Sequence, residues 1–249
     1  MATRMRLGAL ALGLLLCLPA AVRAEGEGNL RHAENEVRNR ASLQRGARNF
    51  MNYCSGCHSA QFVRFNRIGT DLGITDQELK DSLMFTAERP FETIKSSLAP
   101  ADGRKWFGNA PPDLSLIARS RGVDYLYTFL TGFYVDPSRP TGVNNEALPG
   151  TAMPDVLADL QGLQAAEFKP RKADDAAPPE IERLKLIAPG TMTPEKFEEF
   201  VRDTVNFLDY IGEPVQVQRR DLGVWVILFL LVFTGFAFLL KREYFKDIH

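Results

Sequence analysis

The chain is poor in the residues that build metal cages and disulfide frameworks. Its 249 residues hold only 3 cysteines and 3 histidines. A structural zinc site needs more ligands than Cys54, Cys57 and His58 can gather, because Cys17, His32 and His249 are far away in sequence. No phosphate-binding glycine loop, strand-rich stretch or internal repeat is visible. Neither sign of charge is in excess, with 30 basic and 31 acidic residues. No nucleic acid is expected among the partners. The composition, 45% hydrophobic and 24% charged, suits one globular domain with additions at its ends.

Two long apolar runs provide those additions. Near the start, Arg4 and Arg6 precede the run Leu7 to Leu18, and Val22-Arg23-Ala24 offers a small-residue cleavage site. This is the pattern of a secretory leader over residues 1–24. Cleavage would remove Cys17 and leave Cys54 and Cys57 as the only thiols, so no structural disulfide could form within the chain. Near the end, Leu222 to Leu240 carries no charge and shows no polar stripe. About twenty such residues at ~1.5 Å each cross a ~30 Å hydrocarbon layer. Residues 219–241 are therefore expected to anchor the chain in membrane lipid, with 242–249 as a cytoplasmic tail. Residues 25–218 would form an exported domain.

What the cysteines do is written in their spacing. Cys54-Ser-Gly-Cys57-His58 is the C-x-x-C-H attachment signature of a c-type haem. Two thiols three apart on one helical turn face the same side, where each can form a thioether. His58 then lies under the iron as proximal ligand. A dithiol redox motif would need no His there and is expected beside a βαβ pattern, which is missing.

The mature chain reads as mainly helical. Residues 25–41 form a polar arm. Leu43, Ala47, Phe50, Met51 and Cys54 recur at helical spacing and deliver the haem motif. Thr75 caps a helix to about Met84. Residues 99–113 are rich in Pro and Gly and predict a loop. Asp113 or Ser115 starts a helix that breaks at Gly122, and Tyr125 to Thr131 forms another. Residues 134–155 read as loop, and 165–190, charged and with four prolines, as an exposed loop. Thr193-Pro194 opens a helix whose apolar stripe runs from Phe197 to Ile211, before Gly212.

An electron carrier of this type takes a sixth iron ligand, usually Met or His. His32 lies in the polar arm, and His249 would be across the membrane. Met51 is one turn before Cys54 on the proximal helix, Met84 fits a helical core, and Met192 precedes a helix start where it can staple. Met153 sits in Pro149-Gly150-Thr151-Ala152-Met153-Pro154, an irregular loop able to bend over a flat face. Elimination favours Met153 without excluding the others.

Several stretches together carry a closer likeness. They are Arg45-Gly46 ahead of the haem motif, Ala110-Pro111-Pro112-Asp113-Leu114-Ser115 through Arg119, and Asp124-Tyr125. Leu130-Thr131-Gly132-Phe133, Pro140-Thr141-Gly142-Val143, Ala152-Met153-Pro154 and Glu213-Pro214 complete the set. In these the chain resembles the cytochrome c1 family, the haem subunits of bacterial ubiquinol–cytochrome c reductase. The resemblance implies a class I cytochrome c-like haem domain, mainly α, with long loops and one C-terminal transmembrane helix. It implies one covalently attached haem c, held by Cys54 and Cys57 with His58 and Met153 on the iron. Pro111 would line the haem site and Arg119 would face a haem carboxylate. The implied partners are cytochrome b, the Rieske iron–sulfur protein as donor and cytochrome c as acceptor. The chain alone would catalyse no turnover, and its haem domain would lie in the bacterial periplasm. The rival readings are a membrane-anchored mono-haem carrier or oxidase-associated subunit outside that complex, and a haem enzyme such as a peroxidase.

Overall fold

The computed structural model describes residues 30–170 and 179–246; the expected leader and the end of the tail lie outside them. The organising contact is between two helices far apart in sequence. Helix α1 (Arg40–Tyr53) is capped by Asn39, whose side chain accepts from Ser42 N, and buries Leu43, Ala47, Phe50 and Met51. It crosses α8 (Pro194–Gly212), which buries Phe197, Val201, Val205 and Leu208. Thr193 caps α8 with Pro194 in its first turn, as the residue order predicts. The rings of Phe50 and Phe207 lie 5.7 Å apart at the crossing. Asn49 Nδ2 donates to Phe200 O at 3.1 Å, and Arg45 Nε donates to Asp203 Oδ2 at 2.5 Å.

Gly46 is what lets the two backbones meet. A Cβ there would stand 2.0 Å from Asp203 O and 2.8 Å from Phe207 Cβ. Because backbone cannot swing aside like a side-chain tip, Gly46→Ala must separate the helices. We expect a cost of about 1–3 kcal/mol or more, typical of overpacking. It should appear as a lower thermal midpoint of the solubilised holoprotein; an unchanged midpoint would mean that the crossing opens freely.

Around this pair run β1 (Ala60–Arg64), α2 (Phe65–Leu72), α3 (Asp76–Ser82), β2 (Thr93–Ile94), α4 (Pro100–Phe107), α5 (Ile117–Arg121) and α6 (Val123–Thr131). Then come β3 (Phe133–Val135), β4 (Val143–Asn145), α7 (Ala158–Gln161), β5 (Gly162–Phe168) and β6 (Ile181–Pro189), before α8. The strands form three separate antiparallel pairs, β1–β2, β3–β4 and β5–β6, so the architecture is mainly α.

Three sequence expectations are corrected. Residues 134–155, read as loop, hold β4 and most of β3. Residues 100–107 are helix, not loop. Pro100 occupies its first turn, Asp102 and Arg104 complement its two ends, and Gly108 closes it at φ 80°. The Pro and Gly there mark a helix's start and stop. The expected exposed loop at 165–190 holds the strands of a hairpin, with Gly162 opposite Pro189 and Phe168 opposite Ile181, while its middle, 171–178, lies outside the described residues. Among the described residues, Pro170 and Pro179 fall outside the paired segments and Pro189 at their end. Gln164 Nε2, donating to Thr131 O and Phe133 O, ties the hairpin to the body.

After Glu213-Pro214, α9 (Gln216–Tyr244) runs for 29 residues at mean hydropathy 2.6 over its most apolar window. Among the described residues it is the one helix long and apolar enough to cross a membrane. It begins ahead of the expected boundary at Arg219, and an ion pair from Arg38 to Asp221 meets its first turns.

Candidate haem cleft

The last turn of α1 continues into the thiol motif. Cys54 N donates to Phe50 O at 2.9 Å, and both Cys57 N and His58 N donate back to Cys54 O at 3.1 and 2.8 Å. This one-turn geometry brings Cys54, Cys57 and His58 to the wall of one cleft. Ser55 points the other way, buried and donating to Met51 O. Gly56 has open space around a would-be Cβ.

The Pro-Pro-Asp-Leu-Ser segment explains itself as a clamp on this turn. His58 Nδ1 lies 2.8 Å from Pro112 O. A carbonyl only accepts, so Nδ1 carries the proton and Nε2 keeps its lone pair, the tautomer a metal ligand needs. Asp113 Oδ2 accepts from Gln61 N at 2.9 Å, Asp113 Oδ1 from Ser115 N at 2.8 Å, and Ser115 Oγ from Phe62 N at 3.1 Å. Leu114 N donates to Ser59 O at 2.8 Å. The loop is thus stitched to His58 itself and to residues 59–62 that directly follow it. Burial lowers the His58 pKa from its ordinary value, partly opposed by the Pro112 bond, and favours neutral imidazole. Burial, with Cys57 adding to it, pushes the Cys54 thiol up to about 12. A thiol so reluctant to ionise is unsuited to dithiol exchange.

The cleft encloses about 340 Å³ and is walled mainly by apolar side chains, including Pro111, Ile117, Phe129, Leu130 and Leu208. That is within the range of about 300–1,000 Å³ usual for cofactor sites. Met153, on the loop before α7, lines the same cleft. Met51 and Met84 are core residues, and Met192 packs against the core. Of the methionines in the described residues, only Met153 lines the cleft. His32 is exposed at the surface against Asp124, 2.8 Å away. Two thiols on one turn, an imidazole with a free Nε2, a methionine sulfur and apolar walls together fit a covalently held haem. A second concavity, lined by Glu34, Glu36, Arg45 and Glu199 among others, is polar and reaches none of these groups.

The resemblance sets Arg119 against a haem carboxylate. It is absent from the cleft wall; its Nη1 donates to Glu213 Oε2 at 2.9 Å, and Arg219 Nε donates to Glu213 Oε1 at 2.5 Å. Arg219 first, with Arg119 helping, holds the Glu213 carboxyl below its ordinary range. The arginine on the wall is Arg121, its guanidinium carbon 5.5 Å from the Tyr125 ring centroid. The signal was available in the spacing. Ile117 and Arg121, four apart on α5, share a helical face, which Arg119 does not. Asn144 and Asn145 were also missed, since a polar pair inside a Pro- and Gly-rich stretch reads as turn chemistry.

The sequence profile described as the Cytochrome C1 family matches residues 100–248. A cytochrome c1 of Allochromatium vinosum is 46% identical over 94% of this chain and 96% of its own. A cytochrome c1 of Rhodospirillum rubrum is 27% identical over 100% of this chain and 99% of its own. A protein of Nitrosomonas europaea named ammonia monooxygenase gamma subunit is 41% identical over 94% of this chain and 96% of its own.

Proposed function

The chain belongs to the cytochrome c1 family, and on that premise we propose that this cleft is its haem site, working between a Rieske centre and a cytochrome c. As a member it is an electron-transfer haem subunit of the cytochrome bc1 complex, membrane-anchored and carrying one covalent c-type haem. The haem, when bound, supplies a one-electron iron couple.

The residues have separate tasks in this reading. Cys54 and Cys57 hold the macrocycle, and His58, its tautomer fixed by Pro112, presents Nε2 to the iron. Met153 offers a neutral sulfur on the other side, which favours the ferrous state and raises the potential. Pro111 and the apolar wall exclude water. Arg121 is the cation at hand for a haem carboxylate. Partners in the complex are cytochrome b and the Rieske protein, with cytochrome c as acceptor. The exported domain, residues 25–218, would face the periplasm, with 219–241 in the membrane and 242–249 in the cytoplasm. Alone, the chain would carry electrons and turn nothing over. The observation that carries this reading is the convergence of Cys54, Cys57, His58 and Met153 on one apolar cleft.

Purification of the native complex from the membrane tests it. We expect cytochrome b and a Rieske protein to accompany the chain, and the preparation to reduce cytochrome c with quinol. The Nitrosomonas relative favours a second reading, a subunit of an ammonia-oxidising assembly. Co-purification with such an assembly, without cytochrome b, would select it instead.

A finer expectation concerns the two arginines. A cation beside the haem disfavours the ferric charge, so Arg121→Gln should lower the midpoint potential by on the order of tens of millivolts. Arg119→Gln should leave the potential nearly unchanged. Potentiometric titration of both variants decides it, and the reverse order would restore Arg119 to the haem.

A further inference from the structure

The segment from Pro149 to Pro154 belongs to no helix or strand, so its backbone groups have no ladder to join. A loop of that kind holds a side chain at a fixed point only if something else supplies its partners. Here the partners are side chains from β4 and from the turn before it. Asn145 is fully buried. Its Oδ1 accepts from Ala147 N at 2.9 Å and Leu148 N at 3.2 Å, while its Nδ2 donates to Phe129 O at 2.8 Å. Phe129 and Leu148 both line the cleft, so Asn145 bolts one cleft wall to the start of the Met153 loop.

Asn144 acts one step further on. Its Oδ1 accepts from Gly150 N at 2.7 Å, and its Nδ2 donates to Asp136 Oδ2 at 2.9 Å. Gly150 sits at φ +81°, a left-handed conformation suited to glycine. Its carbonyl accepts from Arg139 Nη2 at 2.8 Å, and Arg139 Nε is buried with no partner. Beyond Gly150, Thr151 N donates to Leu148 O at 3.1 Å and Met153 N to Thr151 Oγ1 at 3.3 Å. β4 is itself fixed, paired through Asn144 with Tyr134 and through Asn145 with Phe133 of β3. A continuous chain of hydrogen bonds therefore runs from the body of the domain to the residue bearing the sulfur.

We propose that Asn144 and Asn145 are positioning residues, which set how firmly Met153 is held on the distal side of the cleft. The inference rests on the reading of Met153 as the sixth ligand. A neutral thioether is a weak donor, so the loop's own order decides how often the sulfur is away. Losing a buried hydrogen-bonded amide costs enough to raise the detached population on the order of tenfold.

The test uses the native membrane complex carrying Asn145→Ala, Asn144→Ala, Asn206→Ala or Met153→Leu. Asn206 is also fully buried, donating to Glu36 O and Ser42 Oγ, but remote from this loop. Its replacement controls for general loosening. Each ferrous complex is exposed to carbon monoxide, and the ferric iron–sulfur charge-transfer band and midpoint potential are recorded. We expect Met153→Leu to bind carbon monoxide fully. Asn145→Ala should bind it at least tenfold more than the parent, with a weakened band and lowered potential. Asn144→Ala should move the same way, and carries the test if Asn145→Ala yields no holoprotein. Asn206→Ala should lower the melting temperature and leave the spectrum unchanged.

The proposal falls if Met153→Leu opens the iron while both loop variants keep the band and stay inert. It falls equally if Asn206→Ala opens the iron as much as they do. Should Met153→Leu itself keep the band, the ligand reading fails first and takes this inference with it.

Discussion

Met153→Leu is expected to keep its covalent haem and lose its high potential. Leu retains roughly the volume and apolarity of Met, so the fold should survive at a cost under about 1.5 kcal/mol. The sulfur is gone, however, and no other methionine of the described residues lines the cleft. The iron becomes five-coordinate or takes water. We expect loss of the ferric iron–sulfur band and a potential lowered by on the order of a few hundred millivolts, part of the ~0.8 V that axial ligands span. Electron flow should stop at the step into this haem. Met84→Leu and Met192→Leu are the comparisons, because both side chains pack on the core. If either of them lost the band while Met153→Leu kept it, the distal ligand would have been misassigned.

The second large effect is on attachment. Cys54→Ala or Cys57→Ala alone should leave at most one thioether, and the double variant should give no stable holoprotein. The two thiols come from one turn whose hydrogen bonds to Cys54 O fix their spacing, so neither can be replaced from elsewhere. Cys17, the remaining cysteine, falls within the expected leader. Haem staining on a denaturing gel reads this out directly. Retained stain in the double variant would contradict the assignment of the cleft.

Much of this was written plainly in the residues. Helices α1 and α8 showed because long amphipathic segments with caps such as Thr193-Pro194 leave a periodic trace. The C-x-x-C-H turn showed because its chemistry depends on local spacing. Less legible was anything set by distant contacts. Gly46 reads as an ordinary helix interruption, and its role appears only when Asp203 O stands against it. The β5–β6 hairpin was hidden by the prolines and charges within and around its strands, such as Glu182, Arg183, Lys185 and Pro189. Strand pairing joins residues distant in sequence, such as Leu163 and Ala188, and local pattern does not register it. The likeness pointed to Arg119, whereas the arginine on the cleft wall is Arg121, a difference set by how the short α5 is turned. Asn144 and Asn145 act through backbone groups, which sequence does not display.

The central claim is that the haem held at Cys54 and Cys57 takes its electron from a Rieske centre within the complex. Rapid mixing of the purified complex with quinol, in the absence of cytochrome c, tests it most directly. Absorbance would follow this haem separately from those of cytochrome b, with and without the Rieske cluster. The account predicts prompt reduction of this haem when the cluster is present. Without the cluster, this haem should remain oxidised while the b haems still become reduced through their own quinone site. Equally fast reduction without the cluster, or no reduction with it intact, would contradict the account.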